Sequence, residues 1–162
     1  MLFPAQAFGE AYPRDLPVGS LFRFHEFWHL RVGSENEPGL MLSLEGPYAG
    51  QLIQLGQGMA KSVAIMAPFC WFPAIAEGTR ASSSSHRTTT LTLTGDGIRI
   101  IGGLTDHGDV DYLAYRLDGT LDEHYRDEGI GTRFLNWSAQ LAHSERPLVS
   151  LGTLFNVSVA SK

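Results

Sequence analysis

Between residues 22 and 32 the chain reads Phe-Arg-Phe-His-Glu-Phe-Trp-His-Leu-Arg-Val, so His25, Glu26 and His29 form the pattern His-Glu-x-x-His. On a helix, residues four apart share a face. The two imidazoles could then hold a zinc ion while Glu26 served as the base acting on its bound water. A strand separates the same residues by about 13 Å, too far for joint ligation. The element that carries the motif therefore decides its chemistry. Phe22, Phe24, Trp28, Leu30 and Val32 occupy the even positions with Glu26, while Arg23, His25, His29 and Arg31 occupy the odd ones with Phe27. One face is apolar and the other polar, the period-two signature of a half-buried strand. Residues 22–32 are expected as strand, with a zinc-dependent hydrolase using His25, Glu26 and His29 as an alternative.

A second stretch, Tyr125-Arg126-Asp127-Glu128-Gly129-Ile130-Gly131-Thr132, precedes a segment with helical spacing. Glycines before a helix N-terminus let backbone N–H groups approach a pyrophosphate. Arg126, Gly129 and Gly131 stand where the acetyl-CoA-binding turn of the acetyl-CoA-dependent N-acetyltransferases has its Arg/Gln-x-x-Gly-x-Gly/Ala, and the dozen or so residues here resemble that turn. The resemblance implies backbone amides of residues 129–132 around the cofactor, and acyl transfer as a further alternative function.

The third feature is charge. The chain carries −5 in total, yet residues 106–128 hold eight acids against Arg116 and Arg126, a net of −6 that leaves the remainder at +1. A general nucleic-acid binder is not expected, because no basic stripe is available for phosphates. A basic partner is a better match, since complementary fields speed encounter and set orientation. Asp109, Asp111 and Asp122, with exposed rings at Tyr112, Tyr115 and Tyr125, are the expected contact residues. Within the same stretch Asp106-His107-Gly108-Asp109-Val110-Asp111 reads as an acidic loop, lacking the glycine and terminal glutamate of an EF-hand calcium loop. Gly56-Gln57-Gly58-Met59-Ala60-Lys61-Ser62 has Leu55 and Ala60 where a P-loop needs glycines. Ser82–Ser85 with His86 lacks the glycine-framed serine of a nucleophile elbow.

The elements that must position these residues follow from composition and period. At 162 residues the chain is expected to be one domain over 1–162 with room for a proper core. Eighteen glycines and eight prolines favour many turns over long helices. Strands are expected at residues 40–45 and 51–55 around the loop 46–50, and at 88–94 and 98–101 around Gly95-Asp96-Gly97. Further strands are expected at 112–117 and 120–124 around Asp118-Gly119, and alternation returns over 148–159. The apolar run 63–76 is too short to span a membrane and should break at Pro68 or Pro73. From residue 133 to 144, Phe134, Leu135, Trp137, Leu141 and Ala142 fall on one side of a helix, with Thr132 as N-cap and Pro147 as stop.

These elements predict a mainly β protein, an antiparallel barrel or sandwich with one helix near residues 133–144 packed on it, and α+β as the alternative. With the single Cys70 and no basic-then-apolar leader, a cytoplasmic location is expected. The favoured function is a small non-catalytic binding module without cofactor. Its partner would be a protein or small molecule, not nucleic acid or membrane; a homo-oligomer burying the aromatic face of residues 22–32 is a further possibility.

Overall fold

A computed structural model describes residues 2–33, 39–76, 80–81, 88–125 and 132–158. Fourteen strands are present among them: β1 (Phe8–Ala11), β2 (Leu21–Phe24), β3 (Phe27–Val32), β4 (Leu40–Ser43), β5 (Leu52–Gln54), β6 (Ser62–Ile65), β7 (Phe69–Ile75), β8 (Arg80–Ala81), β9 (Leu91–Thr94), β10 (Gly97–Asp106), β11 (Asp109–Arg116), β12 (Thr132–Phe134), β13 (Asn136–His143) and β14 (Gly152–Ser158). Single 3-10 turns lie at Ala5–Ala7 and Pro13–Asp15. The strands build three open sheets in the orders β1-β6-β2-β3-β4-β5, β11-β10-β9-β12-β8 and β14-β13-β7. Every pairing between named strands is antiparallel. The mainly β expectation holds, with sheets packed in the manner of a sandwich and none closed into a barrel.

One hydrophobic cluster joins all three sheets. Leu21, Trp28, Leu30, Val32 and Leu42 come from the first, Leu91, Ile100 and Tyr115 from the second, and Trp137, Leu141, Phe155 and Val157 from the third. Trp28 stacks on Phe155 with ring centroids 5.7 Å apart. Buried indoles need acceptors, and Trp137 Nε1 donates to the Thr89 carbonyl at 2.8 Å. A smaller cluster covers the other face of the six-stranded sheet, where Phe22, Met41 and Ala64 meet Leu16. Gly102 of β10 makes close packing between sheets possible: a Cβ there would lie 2.9 Å from Leu42 and 3.0 Å from Leu52.

Two expectations about elements are corrected. Residues 22–32 are not one strand but a hairpin, β2 and β3, with His25 and Glu26 as a two-residue turn at φ 49° and 72°. Positive φ at both central residues matches the type I′ geometry that follows strand twist. Neither residue is the glycine or asparagine that usually signals such a turn. The expected helix at 133–144, and with it the α+β alternative, is replaced by β12 and β13; no α-helix occurs among the described residues. Trp137, Ala139 and Leu141 are buried at a spacing of two, so Leu135, Trp137 and Leu141 of the expected helical stripe also fit a period of two, while Phe134 and the buried Ala142 have the other parity. Pairing to β7 on one side and β14 on the other gives β13 a full set of ladder partners. Tertiary pairing thus outweighs local spacing.

The remaining turns lie where the residues place them, but the strand expected at 120–124 is not formed, only isolated bridges at Thr120 and Leu121. β4 and β5 flank the 46–50 loop, β9 and β10 flank Gly95 and Asp96, and the apolar run divides at Pro68 between β6 and β7. Pro73 sits within β7, at the end of its sheet, the place a sheet tolerates a residue without an N–H. No helix among the described residues is long and apolar enough to cross a membrane.

Candidate functional site

The acidic stretch is built on the hairpin of β10 and β11. All eight residues of β11 pair with β10, from Arg99 opposite Arg116 to Asp106 opposite Asp109. His107 and Gly108 close it with φ 49° and 90°, again two positive values, here with glycine at the second position. Residues 106–111 are therefore a strand end, a tight turn and a strand start rather than an acidic loop.

The hairpin divides into two halves. At its base Ile100, Ile101, Ala114 and Tyr115 are buried. Residues 105–112 are all exposed, so the tip stands clear of the core on both sheet faces. Asp106 and His107 contact each other with side chains 75% and 93% exposed. Asp109 and Asp111 lie one strand repeat apart and so share a face. Among the described residues no lysine or arginine pairs with Asp106, Asp109 or Asp111. Val110 and Tyr112, 43% and 39% exposed, lie on the opposite face of the strand.

Other expected contact residues belong elsewhere. Tyr115 is 1% exposed and lies in the main core, so its ring offers no surface. Asp122 accepts a 2.8 Å hydrogen bond from Arg99 Nε, with the two side chains 10% and 4% exposed. Arg116 Nη2 stands 3.7 Å from the other Asp122 oxygen, which also accepts the His124 N–H at 3.1 Å. The Arg99 hydrogen bond, followed by the His124 N–H and the two arginine charges, outweighs burial and lowers the Asp122 pKa. Asp122 is thus a structural counter-ion, and no surface anion. Asp118 is similarly engaged, accepting from Thr120 N and Oγ1. Tyr125 is half-buried at the end of the described segment.

The His-Glu-x-x-His residues do not form the helical face that joint zinc ligation needs. His25 and Glu26 are exposed turn residues, whereas His29 is 5% exposed within β3. His29 Nε2 lies 3.1 Å from the Phe24 carbonyl, so it carries the proton, and Nδ1 is buried without a partner. Burial lowers the His29 pKa, and the charge of His25 acts in the same direction. No group of three or more His, Cys, Asp or Glu that could hold a metal occurs among the described residues. Arg126, Gly129 and Gly131 of the glycine turn lie outside the described residues. The chain beyond them enters strand β12, so the helix N-terminus expected to face a pyrophosphate is absent.

No protein-family model, curated protein or solved structure matches the chain. The site must be read from its own chemistry. Sequence reasoning located the acidic segment but missed the ion pair of Arg99 with Asp122, residues 23 apart in sequence. The His107-Gly108 turn did leave a signal, a glycine two residues before the Val110–Tyr112 alternation, hidden by the density of aspartates around it.

Proposed function

We propose that this protein is a non-catalytic binding module that contacts a basic protein partner through the tip of the β10–β11 hairpin. One observation supports this reading above others: Asp106, Asp109 and Asp111 are gathered on a projecting tip where no lysine or arginine pairs with them among the described residues, and only His107 contacts Asp106. Carboxylates meant for internal pairing are held as Asp122 is, under an arginine. Carboxylates left in solvent on a narrow arm create a local negative field, which accelerates encounter with a cationic surface. Val110 and Tyr112 expose apolar area on the other face of the same tip, so a partner that wraps the hairpin would meet charge on one side and apolar surface on the other.

The test uses a lysine octapeptide as the probe, with association rates measured at low and moderate salt. Asp106→Asn, Asp109→Asn and Asp111→Asn together should slow association by about tenfold at low salt and flatten its salt dependence. An equal neutralisation at Glu10, Asp15 and Asp96 is the control, and should change the rate by less than about twofold. Equal losses in the two triple variants would refute the proposal, because net charge alone would then govern binding.

A further inference from the structure

A cavity of about 450 Å³ opens beside the first hairpin, away from the acidic tip in chain and sheet. Its walls include Phe3, Phe8, Phe27 and Trp28, and its charged residues are Arg23, Glu26 and Glu45. The volume falls in the range of small-molecule sites, which run from about 300 to 1,000 Å³. Phe3 and Phe8 meet edge to face with centroids 5.8 Å apart, so both rings belong to one aromatic wall.

The charges in this cavity are arranged unequally. Glu45 Oε2 accepts the Trp28 backbone N–H at 3.0 Å, and the neighbouring Leu44 N–H donates to the Trp28 carbonyl at 3.0 Å. These bonds fix the half-buried Glu45 carboxylate over the start of β3 while Oε1 has no hydrogen-bond partner among the described residues. Arg23, the cation at the site, turns its Nη2 to the Glu26 carbonyl at 2.8 Å and makes no ion pair with Glu26 or Glu45 among the described residues. The cavity therefore combines aromatic walls, two carboxylates and one arginine engaged by a backbone carbonyl, a net of −1.

From this combination we infer that the cavity binds a small organic cation with an alkylated ammonium head. Ring faces attract such cations through their quadrupoles, and the carboxylates supply the opposite charge. A primary ammonium needs three acceptors for its N–H groups. Of the two carboxylates only that of Glu45 is fixed, with Oε1 left over, while Glu26 stands on an exposed turn and the other walls are largely apolar; this suits a head that carries charge without N–H donors. The inference stands apart from the hairpin-tip reading, since the two sites share no residue.

The experiment is an amide NMR titration of the whole protein with choline, and in parallel with 3,3-dimethyl-1-butanol, its uncharged isostere. Choline should shift the Trp28 and Glu45 amide signals along a single saturating curve, while the isostere at equal concentration leaves them in place. Glu45→Gln keeps an acceptor for the Trp28 N–H and should weaken choline binding about fivefold. Glu26→Gln, on an exposed turn where folding is not at stake, should weaken it by a smaller factor, and Arg23→Gln should tighten it. Equal shifts with the isostere, an unchanged affinity in Glu45→Gln and Glu26→Gln, or no saturation would overturn the assignment.

Discussion

The hairpins β2–β3 and β10–β11 begin alike and end differently. Each turns through two residues with histidine first, at φ 49° in both. After the first turn the chain is buried almost at once, with Trp28, His29 and Leu30 all in the interior. After the second, residues 109–112 remain exposed and burial is complete only at Ala114 and Tyr115. The difference lies in neighbours. β3 has β2 and β4 on its two sides and hydrophobic clusters on both faces of its sheet. β11 ends its sheet order, and its first half extends past the residues that could cover it. The same local device thus builds a core in one place and presents charge in the other.

The largest expected effect comes from breaking the buried base of the second hairpin. Tyr115→Ala should cost about 3–5 kcal/mol in chemical denaturation, the loss expected for a large ring removed from a core. Asp122→Ala should cost about 3 kcal/mol or more, because Arg99 would remain buried without its counter-ion. Since the folded Asp122 pKa is lowered, its contribution is fully present above the ordinary carboxylate value and fades as pH falls below about 4. A melting profile of Asp122→Ala should therefore lack that acid-dependent step.

His29 sharpens the contrast from the side of the first hairpin. Its folded pKa is lowered from 6.5, so the folded chain resists a proton that the unfolded chain accepts. Stability should be complete above 6.5 and should decline as pH falls through the folded value. His29→Leu should remove that slope below pH 6.5, as followed by denaturation midpoints. A smaller effect is expected at the turn itself. Replacing His25-Glu26 with Asn-Gly should stabilise the protein by about 1 kcal/mol, since those residues tolerate positive φ. Least of all, Asp109→Asn with Asp111→Asn should change stability by under about 0.5 kcal/mol, as expected for exposed side chains without partners among the described residues.

Much of the fold could be read from alternation and turn residues: the Gly95-Asp96 turn, the 46–50 loop, the break at Pro68 and the buried Phe155 and Val157 of β14. The failures share a physical cause. In residues 133–144, Leu135, Trp137 and Leu141 fit a period of two as well as 3.6, so the partners of β13 decide between them. His25-Glu26 adopts positive φ without glycine or asparagine, leaving only the weaker preference of histidine as a turn signal in the sequence. For the candidate site, the acidic segment was legible as charge, but its division was not. Whether Asp122 faces Arg99 or solvent depends on a contact across the chain, and Tyr115 looks the same in sequence whether inside or outside.

An amide NMR map of the lysine octapeptide on the full chain probes the hairpin tip as a binding surface without intermediate steps. Saturable shifts should concentrate in residues 104–112, vanish on neutralising Asp106, Asp109 and Asp111, and weaken with salt. Shifts scattered over every exposed carboxylate, or centred away from the β10–β11 tip, would contradict that role.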